Sequence, residues 1–536
     1  MAGTIHAAQL TRRRLLATAG SSAAIALLGG IAKPYLSRAS DRPRMTHGVQ
    51  SGDVSVDSGV VWARTDRPAR MLVEISTSDS FVDIRDAVAI DALPESDFTA
   101  KVLIKDLPAS QDIFYRIRFE DLSAPLVASE AQVGHFRTAP DHRRDVSFVW
   151  SGDTAGQGWG IDEARGGMRT YATMLSNRPD FFIHCGDNIY ADCPIPSELP
   201  LPNGETWRNI VTEEKFCVAE SLADYRGNYK YNLLDANLRA FNAEIQTFAQ
   251  WDDHEVAKDW WPGEIRADHA NLSASLLAAR GRRAFFEFMP VRQTLADTGR
   301  IYRKVSYGPL LDIFLLDMRS YRGPNGNRRD STPGPGSQIL GTAQTRWFKR
   351  ELMASRATWK VIAADLPIGL LNEDAIAQGD GPLLGREFEI ADILAFVKHA
   401  GVTNTVWITA EMHYTAAHYY DPNRAVFQDF DPFWEFVSGP IHAGTWGPAP
   451  LDNTFGPAAI FQQGCSAEQG ENLAPCFGLQ FFGHVAIDAT TEVMTVTLKD
   501  VADRDLWMTQ IEPSLPIKEA RLMSASDAKR TLWLTA

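Results

Sequence analysis

The most regular feature of the chain is a short apolar run that stops on a carboxylate or a histidine. Val146-Ser147-Phe148-Val149-Trp150 leads into Ser151-Gly152-Asp153, and Phe181-Phe182-Ile183-His184-Cys185 leads into Gly186-Asp187-Asn188-Ile189-Tyr190. The stretch from Ile245 to Gln250 leads into Trp251-Asp252-Asp253-His254-Glu255. Ile313-Phe314-Leu315-Leu316 stops at Asp317-Met318-Arg319, and Thr405-Val406-Trp407-Ile408-Thr409 stops at Ala410-Glu411-Met412-His413. Continuous runs of this length predict strands buried on both faces, with helices between them. Thr342 to Met353 reads as one such helix, with Trp347, Phe348 and Leu352 on neighbouring helical positions. In open α/β sheets, ligands bind beyond the carboxyl ends of the strands. Polar residues far apart in the chain are therefore expected to meet there.

Ahead of this α/β body the pattern changes. Between Met45 and Pro140 the apolar runs are shorter and alternate. Ile113, Tyr115, Ile117 and Phe119 interleave with Asp112, Phe114, Arg116 and Arg118, without helical periodicity. A β-sandwich of the fibronectin or immunoglobulin type is expected over residues 45–140, closed by the polar Pro140-Asp141-His142-Arg143-Arg144. The fold class expected for the whole is α/β (α+β), with residues 145–512 as the larger domain. Residues 513–536 form a C-terminal segment with amphipathic pieces, expected to be helical and conceivable as a lid.

Residues 1–39 read as an address. Thr11-Arg12-Arg13-Arg14-Leu15-Leu16 precedes an Ala- and Gly-rich apolar run, and Ser37-Arg38-Ala39 offers small residues at a cleavage site. This is the layout of a bacterial twin-arginine signal, with the translocase as partner and a periplasmic or secreted product. No later stretch is apolar and long enough to span a bilayer.

Composition narrows the partners. The 536 residues are 45% hydrophobic and 22% charged, which excludes a disordered chain or a disulfide scaffold. With 53 Lys and Arg against 67 Asp and Glu the net charge is −14, a field that repels nucleic acid and anionic membrane. It admits a small anionic substrate where a metal or an arginine reverses the field locally. Among five cysteines only Cys465 and Cys476 are close enough to suggest a bridged loop.

If Asp153, Asp187, Asp253 and Glu411 meet with His254 and His413, their charges repel unless they are protonated or neutralised. Cations remove the conflict, and two can share one carboxylate. Asp, Asn, His and Tyr ligands suit iron, manganese, calcium or zinc, and a metal pair activates water for in-line displacement at phosphorus. Arg319 would supply a planar fork for phosphate oxygens. Read alone, Asp153 is more simply a cap or turn residue, and His418, His442 and His484 are satisfied or surface histidines. Trp260, Trp261 and Trp434 read as pocket wall or core. Asp317 either caps a turn while Arg319 works, or pairs with it.

These residues resemble the PhoD-type alkaline phosphatases, a branch of the calcineurin-like metallophosphoesterases with an N-terminal sandwich. His47 to Asp53 with Gly59 to Arg64 is similar to that family's front-domain opening, and Gly134 to Pro140 to its close. Gly186 to Tyr190 and Trp251 to Glu255 are the most specific matches, joined by Leu316 to Arg322. The resemblance implies a metallophosphoesterase domain of two packed sheets flanked by helices. It implies that Asp187 bridges metals and that Tyr190 binds ferric iron as a phenolate. Asp253, His254 and His413 complete the shell, and calcium accompanies iron. Zinc, manganese and magnesium are the alternatives. The chain departs from the family in carrying Asp153 where a cysteine is frequent and Glu411 where an aspartate is frequent, which marks a divergent branch.

The expected function is an exported metal-dependent phosphoesterase acting on phosphate monoesters, and on diesters as the close second, through a metal-bound hydroxide. The expected site comprises Asp153, Asp187, Asn188, Tyr190, Asp253, His254, Glu411 and His413 as metal ligands, with Arg319 and His254 catalytic. A glycoside hydrolase using Asp252 and Asp253, and a non-catalytic exported binding protein, are the rival readings.

Overall fold

The computed structural model describes residues 8–9, 42–124, 127–293, 298–325, 329–372 and 374–514. The twin arginines, the apolar run after them and the C-terminal segment beyond Ser514, expected as export signal and conceivable lid, lie outside the described residues.

Two sheets dominate. The first has nine strands, with Val146–Ser151, Phe181–Cys185 and Gln246–Gln250 parallel at its centre. The second has seven, with Leu311–Leu315, Trp359–Ala363, Thr405–Thr409 and Phe433–Ser438 parallel at its centre. These parallel strands are the uninterrupted apolar runs of the sequence, and both faces of each are covered, as parallel sheets require. Between the sheets lies a dry layer that includes Phe148, Trp150, Ile183, Phe248, Ile313, Val361, Ile408 and Phe436.

The outer faces are closed by helices. Arg169–Ser176, Ala236–Glu244 and Ala274–Phe288 contribute to the cluster over the first sheet. Gly341–Ala354 and Glu387–His399 do so over the second. The helix expected from Thr342 is thus present.

The front strands make two layers. Asp86–Ala92, Ala69–Ser76, Asp112–Asp121 and Gln132–Arg137 form one sheet, with Ala8–Gln9 at its edge. Along Asp112–Asp121 burial alternates residue by residue, with Ile113, Tyr115, Ile117 and Phe119 inside. The facing layer is not a sheet of its own. Met45–Gly52, Gly59–Thr65 and Thr99–Ile104 continue the nine-stranded sheet through a parallel contact between Gly52 and Thr247. The front layers are therefore hydrogen-bonded into the body that carries the strand ends.

All five cysteines are free, which corrects the expected Cys465–Cys476 bridge. Cys465 is held elsewhere, its thiol donating to the Thr445 carbonyl at 3.4 Å. Cys476 packs against the Trp159–Trp207 cluster. Among the described residues no helix is long and apolar enough to cross a membrane.

Candidate metal centre

The carboxyl ends of the parallel strands of both sheets meet. Asp153, Asp187 and the run Asp252 to Glu255 come from the first sheet. Asp317 to Arg319, Asp365 and Glu411 to His413 come from the second. To turn acidic side chains inward directly after a strand, the backbone leaves the extended region. Asp153, Asp187, Glu411 and His413 all have positive φ, at 67°, 53°, 44° and 56°. Non-glycine residues rarely adopt this conformation, and where they do the surrounding structure enforces it. Gly186, at φ 107°, is required twice, because a Cβ there would also lie 2.5 Å from Asp252 Cβ.

Asp187 is the centre of the arrangement. Asp153, Asp187, Glu411 and His413 present ligand atoms that all lie within 4.8 Å of one another. Asp187 with Asp253 and His254 forms a second such group, and Asp187 with Asp252, Asp253 and Glu411 a third. One oxygen of Asp187 accepts the His254 backbone N–H at 3.3 Å, while Oδ2 has no protein partner. Asp153 Oδ2, Asp253 Oδ1 and Glu411 Oε2 are likewise buried and unpartnered. Buried acceptors are normally satisfied, so four orphaned carboxylate oxygens facing one basin fit hard cations. The centre is suited to more than one metal ion.

The histidines are set up to complement this. His413 Nδ1 lies 2.6 Å from the Gly444 carbonyl, which can only accept; Nδ1 thus carries the proton and Nε2 the lone pair. Burial lowers the pKa of His413 to about 4 and keeps it neutral. Tyr190 O–H lies 2.9 Å from that Nε2, and its ring stacks on His254 with centroids 4.2 Å apart. Burial, then the charges of Asp187, Asp153 and Glu411, push the phenol well above its usual range, so a phenolate here needs a cation. His254 Nδ1 contacts Asp192 Oδ1 at 2.6 Å, which leaves Nε2 for a ligand or a proton. Burial opposes charge on His254, but Asp192, Asp253 and Asp187 outweigh it and raise its pKa.

Several residues that sequence reasoning did not select hold this geometry. Glu255 accepts the backbone N–H groups of Asp187, Asn188 and Asp252 at 3.2, 2.5 and 2.7 Å, and Asn188 Nδ2 at 2.8 Å. It ties the two most specific sequence blocks together. Asp192 orients His254. Asp365 follows Trp359–Ala363 as another apolar run ending on an acid, the same signal that marks Asp187, and it stands fully buried with the Arg319 guanidinium 3.3 Å from Oδ2.

Asn188 Oδ1 is likewise buried without a hydrogen-bond partner, so the amide oxygen of this expected ligand is unspent. Its amide nitrogen is spent on Glu255 and on the Gln250 carbonyl. Its side chain lines a small inner cavity of about 40 Å³ with Gln50, Thr154 and His184.

Arg319 is fully buried, with Nε 2.5 Å from Asp252 and 3.3 Å from Asp365 and Nη1 on Asp374. Two of its donors are committed to carboxylates and only Nη2 lacks a partner. The open two-pronged fork expected from sequence is therefore occupied. Asp317 does not pair with it through its side chain. Asp317 Oδ1 accepts from the Arg319 and Ser320 backbone N–H groups and from Trp251 Nε1, which makes it the turn cap. His442 and His484 contact the Gly160 carbonyl and Ser147, and His418 Nδ1 contacts Glu435 while its Nε2 has no partner. Trp260 is core.

Comparison with known proteins identifies the family and the fold. Residues 148–498, more than half of the chain, match the family described as PhoD-like phosphatase, and residues 30–140 match the PhoD-like phosphatase N-terminal domain. Alkaline phosphatase D of Bacillus subtilis (strain 168) is 26% identical over 396 residues, 69% of this chain and 64% of that protein. The match thus spans just under two-thirds of that relative's length. A solved structure titled "Structure of PhoD" superposes with a TM-score of 0.67 at 20% identity, over 94% of this chain and 100% of the other. A purple acid phosphatase from yellow lupin (Lupinus luteus) seeds gives 0.56 at 11%, over 88% and 74%. These two share the fold, and the metallophosphoesterase architecture expected from the sequence is borne out. On the extent of the family match, the chain belongs to the PhoD-like phosphatase family.

Proposed function

We propose that the protein is a metal-dependent phosphoesterase that cleaves phosphate monoesters first and diesters second. The observation that carries this reading is the ring of unpartnered carboxylate oxygens on Asp153, Asp187, Asp253 and Glu411 around one buried basin, in a chain of this family. Cations held there would lower the pKa of a bound water and offset charge on the phosphoryl oxygens.

The residues divide the work as follows. Asp153, Glu411 and His413 hold one cation with Asp187, and Asp253 and His254 hold a second with the same Asp187. Tyr190 adds its oxygen beside His413. Asp192 fixes the His254 ring so that Nε2 faces the cluster with its lone pair; used as a ligand to the second cation, this nitrogen has no proton to give the leaving alkoxide. Arg319 is assigned a positioning role. It holds Asp252 against the cluster and brings one positive charge into a region crowded with carboxylates. Asn188 supports the Asp187 turn through Glu255. Iron with calcium is the metal pair we propose because the resemblance to the PhoD-type phosphatases implies it; the Tyr190 phenol beside a hard oxygen set suits it. Export by the twin-arginine route is proposed from Arg12 and Arg13, the apolar run after them and the small residues at Ser37 and Ala39.

The test is hydrolysis of a chromogenic phosphate monoester and a chromogenic diester side by side, before and after chelation, with metals added back singly. Loss on chelation and recovery with metal supports the reading, and the ratio of the two rates assigns the preferred ester. Activity on both esters that survives exhaustive chelation would refute it, as would turnover of a glycoside in their place.

A further inference from the structure

His254 belongs to two clusters. One is the buried group with Asp187 and Asp253. The other joins His254 to Asp192 and Cys193, whose ligand atoms also lie within 4.8 Å of one another. The two differ in access and in chemistry. The first is wholly buried, whereas the second reaches the surface through the partly exposed Cys193, its Asp192 side chain being 7% exposed. The first offers oxygen and nitrogen. The second adds a thiol, free of any disulfide, and a thiolate, an imidazole and a carboxylate are a set that zinc accepts with a fourth position open to water.

The second cluster is also pre-arranged. Asp192 Oδ1 lies 2.6 Å from His254 Nδ1, and Oδ2 accepts the Lys258 backbone N–H at 2.6 Å. Stacking on Tyr190 at 4.2 Å fixes the plane of the imidazole. A cation that replaces the proton between Nδ1 and Oδ1 has to part these atoms from 2.6 Å to roughly 3.3 Å to bind both, with Cys193 Sγ as the third ligand. Nothing assigned to Cys193 in the hydrolytic centre competes for it.

We infer that Asp192, Cys193 and His254 form an outer site for a thiophilic divalent cation such as Zn²⁺, and that filling it shuts down the inner centre. Coordination at Nδ1 moves that nitrogen's proton to Nε2, and the bond that Nε2 would make to the inner cation is broken in exchange. The inner edge of His254 then becomes a donor where the Asp187–Asp253 group needs a lone pair. Cys193 releases its thiol proton to solvent, so one divalent cation is taken up for one proton lost. This goes beyond the hydrolytic reading, since it concerns a site that no step of hydrolysis uses.

The experiment uses the full chain with its inner metals loaded, titrated with Co²⁺ as a coloured stand-in and then with Zn²⁺. The inference predicts a thiolate-to-cobalt charge-transfer band that saturates near about one equivalent and is missing in Cys193→Ser and Cys193→Ala. Turnover without added zinc should be unchanged in both variants, while inhibition by Zn²⁺ weakens by roughly tenfold or more. Absence of the band in the parent protein overturns the outer site. Equal zinc inhibition of parent and variants overturns the shut-down, because zinc would then be acting at the inner centre. The band is read without substrate, so its presence or absence tests the outer site whether or not the protein hydrolyses phosphate esters.

Discussion

Stripping the cations from the centre should make the folded protein take up protons and lose stability as pH rises. Asp153, Asp187 and Glu411 present oxygens within 4.8 Å of one another. Two unit charges at that distance repel by about 3.5 kcal/mol at an effective dielectric constant of about 20. Three carboxylates make three such pairs, about 10 kcal/mol in all, which matches the entire folding free energy of a typical domain, about 5–15 kcal/mol. The stripped protein cannot keep all three ionised. Burial is the larger cause and the surrounding carboxylates add to it, so all three are held well above the usual carboxylate range. Acids whose pKa is raised by folding favour the folded state while protonated. That contribution is present below the unfolded value of about 4 and is lost as pH climbs through the raised folded values. Bound cations reverse this by favouring the ionised form. The melting temperatures of loaded and stripped protein should therefore lie closest near about pH 5 and separate towards about pH 8. Scanning calorimetry across that range reads the gap. Calorimetric chelation in two buffers of different ionisation enthalpy counts the protons. A gap independent of pH, with no proton uptake, would refute the claim that these acids face one another across a cation.

Other substitutions probe separate parts of the centre. Asp187→Asn should lower metal content and cut ester hydrolysis by roughly 100-fold or more. The same variant, stripped of metal, should melt above stripped parent protein, because one repelling charge is gone; elemental analysis and scanning fluorimetry check both. Arg319→Ala leaves the buried Asp252 and Asp365 without their shared cation, while Asp374 keeps Arg322 and Arg386, and should cost roughly 3–5 kcal/mol in urea unfolding. Glu255→Gln removes one acceptor oxygen from four N–H groups and should cost about 1–3 kcal/mol, with a weaker hold on metal seen by chelator competition.

Much of the centre is legible in the sequence because its signal is local. An apolar run buried on both faces ends where the sheet ends, so the next acid is delivered to the strand tips; Asp153, Asp187, Asp253, Glu411 and His413 all follow that rule. Asp365 obeys it as well, but no second polar residue flanks it to make it stand out. What is not legible depends on distance in the chain. Glu255 looks like one more acid of a polar block, and only the fold shows it receiving the amides of the Asp187 turn, 67–68 residues earlier. Arg319 looks like a free cation until Asp374, 55 residues later, closes on it. The Cys465–Cys476 pairing fails for the complementary reason: closeness in sequence says nothing about two thiols that pack against different partners. The front strands show the same limit, since their alternation marks each as a strand but cannot reveal that Gly52 pairs with Thr247 and joins one layer to the body.

The most direct measurement is anomalous diffraction from crystals of the purified protein, collected on either side of the absorption edges of the metals that elemental analysis finds. Separate peaks are predicted within coordination distance of Asp187, one flanked by Asp153, Glu411 and His413 and another by Asp253 and His254. Peaks elsewhere on the molecule, or an Asp187 basin filled only by water in active protein, would contradict a shared metal centre.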